Sequence, residues 1–253
     1  DIESQIDLRE RYDNLNGIRG ERVFKQDEIF LNQAFFTEQK LSFSKYFNIF
    51  LGFRYDINRI MAVDRFLVNG NLSGARNLFN LSPKFGFVHS LQNTSIYGNI
   101  SSNFETPTLN ELSNNPYGDG GFNNQLKSQL SKQLEFGLKG FNNFSNYNFA
   151  FFIIDIENEF VPYEIENLPG RIFFRNSGTS KRRGYELSFN LDISNTLKLY
   201  TAYTFSNFKY INFNLVDKNY DNNYTPGIPK NLLYSQIFSK NKSGFNYKLI
   251  FRF

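Results

Sequence analysis

Cysteine is absent from this sequence, which excludes both a disulfide framework and a thiolate metal site. Tryptophan is absent too, and the chain has one methionine and one histidine, His89. A Ser-His-Asp centre would have to be built on that imidazole, with Ser82 and Ser90 near it in sequence. On a strand, His89 and Ser90 point to opposite faces, whereas His89 shares its face with Phe85 and Phe87. An aromatic girdle is therefore the expected place for His89, and catalysis is not expected. Long apolar runs are lacking as well: the longest, Phe149 to Ile154, falls far below the roughly 18 residues of a membrane helix. The opening residues Asp1-Ile2-Glu3-Ser4 show no charged-then-apolar signal pattern, so the expectation is a mature chain or a fragment. Net charge is +4 and scattered, too little to argue for nucleic acid. The densest basic run, Lys181-Arg182-Arg183, reads as a solvated loop end.

Aromatic residues are abundant, with 31 Phe and 15 Tyr, although only 40% of the residues are hydrophobic and the mean hydropathy is -0.46. A polar average with many aromatics fits strands that show one face to an apolar medium and the other to water. The dominant pattern has period two. Tyr185, Leu187, Phe189, Leu191 and Ile193 fall on one face, and Glu186, Ser188, Asn190 and Asp192 on the other. The segments 47–56 and 245–253 behave in the same way. Further strands are expected over 29–43, 79–90, 94–104, 134–141, 147–156, 197–208 and 232–239, although Pro83 weakens the case for 79–90 as a central strand.

These segments are joined by connections of two kinds. Short turns rich in Asn, Ser, Lys and Gly link 43 to 47, 90 to 94, 141 to 147, 194 to 197 and 239 to 244. Long loops are expected over 57–78, 105–133, 157–184 and 209–231. Strict alternation of short and long puts every long loop on one side of the sheet, as in an outer-membrane barrel with periplasmic turns and extracellular loops. A soluble β-sandwich would have connections of mixed length, and four such long loops are unusual in a compact domain.

Several segments resemble one family. Phe104-Glu105-Thr106-Pro107-Thr108-Leu109-Asn110-Glu111-Leu112, followed by Asn115-Pro116-Tyr117-Gly118 and Gly121-Phe122-Asn123, is similar to a strand end and loop of TonB-dependent siderophore receptors. So are Gln133 to Gly140, Phe173-Phe174-Arg175-Asn176-Ser177-Gly178 with Arg183-Gly184-Tyr185-Glu186-Leu187, Leu51 to Asp56, Leu81 to Gly86 and Pro226-Gly227-Ile228-Pro229-Lys230-Asn231. The likeness runs in family order from about Arg9 to Phe253. It implies an antiparallel transmembrane β-barrel of roughly 22 strands around an N-terminal plug. This chain, residues 1–253, would supply about ten of those strands as a partial barrel with open edges, the plug and final strands lying outside it. Alternating aromatics up to Phe253 also resemble the terminal strand of an outer-membrane protein, which would make that end native.

The resemblance further implies TonB-dependent import of a large nutrient, a ferric siderophore above all, across the outer membrane of a Gram-negative bacterium. The partners would be the nutrient, outer-membrane lipid, and the TonB complex through an N-terminal region not in this chain; no cofactor and no enzymatic activity are implied. A passive channel, or a barrel enzyme of protease or phospholipase type, are the alternatives. Siderophore complexes are commonly anionic and aromatic, which Arg can meet with charge-assisted hydrogen bonds and aromatic rings by stacking. Tyr117, Phe122, Tyr163, Arg171, Arg175 and Tyr220 are the loop residues expected to contact ligand. The carboxylates Asp155, Glu157, Glu159, Glu164 and Glu166 read as a charge-balanced loop, and Gly118, Gly120 and Gly121 as a flexible loop tip.

Overall fold

The computed structural model describes residues 1–118, 121–215, 218–240 and 244–253. In chain order its elements are β1 (Ile2–Leu15), β2 (Ile18–Ser42), β3 (Phe47–Asp64), a 3-10 turn (Leu67–Asn69), β4 (Gly74–Leu91), β5 (Thr94–Glu105), α1 (Leu109–Ser113), β6 (Gln129–Phe141), β7 (Ser145–Glu157), β8 (Phe160–Glu164), β9 (Ile172–Asn176), β10 (Thr179–Asp192), β11 (Leu197–Asn212), β12 (Asn214–Leu215), β13 (Lys218–Asn219), β14 (Asn231–Lys240) and β15 (Asn246–Arg252). Eleven strands form one antiparallel sheet in the order β1-β2-β3-β4-β5-β6-β7-β10-β11-β14-β15. Neighbours follow the chain: tight turns pair one strand directly with the next, and each longer connection returns the chain to the growing edge of the same sheet. β1 and β15 are the two edges of the sheet and do not pair with each other.

Period-two alternation expresses itself as two unlike faces. Register aligns Phe35 with Tyr55, Leu51 with Phe85, Phe136 with Phe151, and Tyr185 with Phe205, so one face is a continuous field of aromatic and aliphatic side chains. That face is open: Phe35 is 68% exposed, Phe53 47%, Phe136 48% and Leu187 44%. His89 lies on it beside Phe47, ring centroids 6.0 Å apart, next to the short turns. The opposite face hides its polar groups. Gln26, Glu28, Asn32, Asp56, Asn58 and Asn80 are buried there. Asn32 donates to Asp56 at 3.1 Å and to Asn58 at 2.7 Å, and the Arg54 guanidinium grips Asp56 at 2.9 Å. A protein in water gains stability by the reverse arrangement, with apolar groups covered and polar ones exposed. An exposed apolar face of this extent marks a surface that meets something other than water.

Two expectations need correction, and the expected strand over 79–90 holds despite its proline. The sheet has eleven strands, one more than expected, because β1 was missed and β2 begins well before residue 29. The connection expected over 57–78 shrinks to 65–73, since β3 and β4 continue far past their apolar stretches. Pro83 does sit within a central strand. β4 pairs with β5 only from Lys84 onward, so the proline, which has no N–H to donate, falls one residue beyond the last bond that would need it.

Candidate ligand-binding site at the long-loop end

The loop between β5 and β6 turns back over the polar face, and its sequence explains why. Thr108 caps α1 by accepting from the Glu111 backbone N–H at 3.3 Å, while the Glu111 carboxylate accepts from the Thr108 N–H at 2.8 Å. This reciprocal pair lets a helix of only five residues start cleanly. Leu109 and Leu112 then point at Ile60 and Ala62 of β3, and Phe122 and Leu126 complete a small apolar core with them. Asn123 fixes the return path. Its N–H donates to the Leu112 carbonyl at 2.7 Å, its Nδ2 to the Phe174 carbonyl at 3.2 Å, and its carbonyl accepts from Arg76 at 3.2 Å. Gly121 is fixed as well: its N–H donates to Gln26 at 3.3 Å and its φ is 69°. The expected flexible tip is thus anchored at Gly121, and Gly120 lies outside the described residues.

The β8–β9 hairpin packs beside this loop. Asn176 ties the two together, donating to the carbonyls of Lys127 at 2.9 Å and Asn158 at 2.6 Å and accepting from the Lys127 N–H at 2.7 Å. Between loop and hairpin lies a cavity of about 220 Å³. Tyr117, Tyr163 and Arg175 line it together with Gln125, Lys127 and Asn158. Arg175 lies over the Tyr163 ring at 5.0 Å, and its Nε and Nη2 are shielded from solvent with no hydrogen-bond partner. Burial pushes the Tyr163 hydroxyl upward, the neighbouring Tyr117 adds to this, and Arg175 opposes it, so Tyr163 remains a protonated donor at neutral pH. A guanidinium with two unsatisfied nitrogens, a phenol and two aromatic faces can together hold an anionic, oxygen-rich group or a flat ring.

Three of the six expected contact residues, Tyr117, Tyr163 and Arg175, therefore meet at one cavity. The others do not line it. Phe122 is 5% exposed within the loop core, where it packs against the sheet. Arg171 lies 4.9 Å over Phe173 on the hairpin. Tyr220 packs against Phe213 with the rings tilted and their centroids 5.4 Å apart, in a separate cluster with Tyr210. Sequence reasoning missed Gln125, Lys127 and Asn158, polar loop residues that only the fold of the loop brings into position. Of the five acidic residues read as a charge-balanced loop, Asp155 and Glu157 lie on β7, and three have a cationic partner: Asp155 lies 3.2 Å from Lys181, Glu157 2.9 Å from Lys132 and Glu159 2.7 Å from Arg182. No group of His, Cys, Asp and Glu suited to a metal occurs among the described residues.

The family described as TonB dependent receptor-like, β-barrel, matches residues 4–248. The chain belongs to that family. Among solved structures it is similar to the siderophore receptor PiuA from Acinetobacter baumannii, at 18% identity and a TM-score of 0.69, over 88% of this chain and 33% of that one. It is similar to the ferric-catecholate import receptor Fiu from E. coli K12, at 17% identity and a TM-score of 0.70, over 99% of this chain and 40% of that one. The copper transporter OprC gives 15% identity and a TM-score of 0.74, over 99% of this chain and 41% of that one. At these identities the likeness is one of fold. This TonB-dependent receptor chain spans between a third and two fifths of the length of these relatives.

Proposed function

We propose that the chain is wall and loops of an outer-membrane transporter that takes up a large nutrient, of the ferric siderophore class, by a TonB-dependent mechanism. The observation that carries this reading is the juxtaposition of two features on one sheet. The exposed apolar face suits lipid, and the loop folded over the other face holds a cationic, aromatic cavity at one end of the sheet. An aqueous pore would need no such cavity, and an enzyme would need a paired acid and base, for which His89 on the apolar face is no candidate. The cavity, at about 220 Å³, is smaller than a site for a whole drug-sized ligand. It suits one arm of a chelate, a carboxylate or catechol, with the remaining contacts made by other loops and the plug. Release inward then depends on the TonB complex acting on regions outside this chain.

The test uses the full-length receptor in an iron-limited growth assay with a panel of ferric complexes. Arg175→Ala should lower uptake of the cognate complex by roughly 10-fold or more, the loss of one charge-assisted bidentate contact, with the folded band in a heat-modifiability gel unchanged. If uptake of every complex is unaffected, the siderophore assignment fails and a different nutrient becomes the better reading.

A further inference from the structure

The run Lys181-Arg182-Arg183 is not at a loop end: it lies inside β10. Its middle residue has a partner across a bend in the chain. The ladder between β7 and β10 stops at the pair Glu157 and Thr179. On one leg Asn158 follows with a φ of 57°, and on the other Gly178 precedes with a φ of 73°. Both angles are left-handed, a conformation that glycine adopts freely and asparagine at small cost. Beyond them the same two legs pair again as β8 and β9, from Phe160 with Asn176 to Glu164 with Ile172, in a two-stranded sheet of their own. The β8–β9 hairpin is thus the top of the β7–β10 hairpin, bent at an elbow with one kink in each leg.

Kinks permit the bend but do not set its angle. Glu159 stands just above the elbow, and Arg182 lies about 10 Å below Thr179 along β10. Tyr185 is on the apolar face, so Arg182, three residues before it, is on the polar one. Arg182 Nη2 donates to Glu159 Oε1 at 2.7 Å, so the pair spans the inside of the elbow and folds the hairpin over the polar face. The cavity lies in that direction, since Tyr163 and Arg175 of the hairpin line it with Tyr117 of the β5–β6 loop. Asn123 and Asn176 tie the hairpin to that loop and not to the wall. Gln129 of β6 accepts from the Phe160 N–H at 3.2 Å, but a neutral bond is roughly half as strong as a charge-assisted one. The pair is a single contact: Arg182 Nε and Glu159 Oε2 are both shielded from solvent without a hydrogen-bond partner. Loss of either residue leaves the other charge shielded and unpaired, a cost that the hairpin relieves by swinging out into water. We infer that Arg182 and Glu159 are positioning residues of the ligand site: their ion pair sets the angle of the elbow, and through it the places of Tyr163 and Arg175. This rests on the reading of that cavity as a ligand site.

The experiment uses a full-length receptor in detergent whose only cysteines are introduced at two exposed positions and spin-labelled, Leu168→Cys at the hairpin turn and Leu187→Cys on the wall. The distance between the labels should be narrowly distributed in the parent and broad in Arg182→Met. Because the pair makes one contact, Arg182→Lys can replace it and should restore the narrow distribution. Glu159→Ala, outside every strand, should broaden the distribution as Arg182→Met does, and it decides the matter if Arg182→Met does not fold. Uptake of a panel of ferric complexes is then measured against concentration in the unlabelled receptor. Arg182→Met should raise the half-saturating concentration roughly 10-fold with the maximal rate unchanged. Added to Arg175→Ala it should cost no more than about twofold further, because a residue that acts through another is not additive with it. A distribution as narrow in Arg182→Met and Glu159→Ala as in the parent overturns the proposal. Full additivity with Arg175→Ala overturns it too, by making Arg182 a direct ligand contact. If instead Arg175→Ala leaves uptake unchanged, it is the ligand-site reading that fails, and the label distances still decide whether the pair sets the elbow.

Discussion

Asn176 shows how much one side chain can organise. It makes three hydrogen bonds, two that join the β8–β9 hairpin to Lys127 of the β5–β6 loop and one to the Asn158 carbonyl at the start of the hairpin, and no apolar residue of its size could replace any of them. Asn176→Ala should cost about 1–3 kcal/mol of local loop stability, seen as faster proteolysis between residues 114 and 128 with the barrel still resistant. Two residues later, Gly178 has a φ of 73°, and a Cβ there would run into the Asn212 carbonyl. A side chain at this position should therefore displace the start of β11's return loop, a larger effect than the loss at Asn176. Both residues stood out in the sequence, as parts of a motif, but their reasons did not. Asn176 is a clamp and Gly178 a close backbone approach, and each reason depends on a segment distant in sequence. Phe122 teaches the converse. An aromatic in a glycine-rich loop reads as a contact for ligand, yet here its ring is the buried peg of the loop.

At the scale of elements, legibility followed the medium that each strand meets. Where one face is apolar and the other polar, as in β10, alternation is visible and the two faces could be read directly from the sequence. β1 alternates only at its start, where Ile2, Ile6 and Leu8 share a face; from Arg9 onward it carries charges on both faces, Arg9 and Arg11 on one side and Glu10 on the other, as does the first half of β2. Such a ribbon is held by its ladder of backbone bonds and has no hydropathy period, so it reads as loop. The extension of β3 and β4 past residues 56 and 79 escaped notice for the same reason. Turns were the most legible elements. Ser194 closes the β10–β11 turn, exchanging backbone bonds with Leu197 at 3.1 and 3.3 Å while its hydroxyl accepts from the N–H groups of Thr196 and Leu197. Deleting Asn195 should shift β11 by one residue against β10 and turn Leu199, Tyr203 and Phe205 to the polar side. The expected outcome is loss of the heat-modifiable folded band, whereas Asn195→Ala, which keeps the length, should assemble normally.

For the whole molecule the decisive property is the inversion of its faces, since the membrane reading depends on which way each side chain points. The absence of cysteine in this chain makes that orientation measurable one residue at a time. Along β10, Leu187→Cys and Phe189→Cys carry the probe on the apolar face, while Ser188→Cys and Asn190→Cys carry it on the polar face beside Ala202 and Tyr200. In a full-length receptor inserted in bilayers, spin labels at 187 and 189 should be relaxed strongly by oxygen, which concentrates in hydrocarbon, and weakly by a water-soluble nickel chelate. Labels at 188 and 190 should show the reverse wherever the interior is wet, or immobilisation without oxygen access where the plug covers them. Alternation must hold at every step, because a strand has no third direction in which to point a side chain. Oxygen contact at 188 and 190 with protection at 187 and 189 would reverse the two faces, and with them the position of the Arg175 cavity relative to the pore. Uniform access to the nickel chelate at all four positions would mean that β10 does not lie in the bilayer.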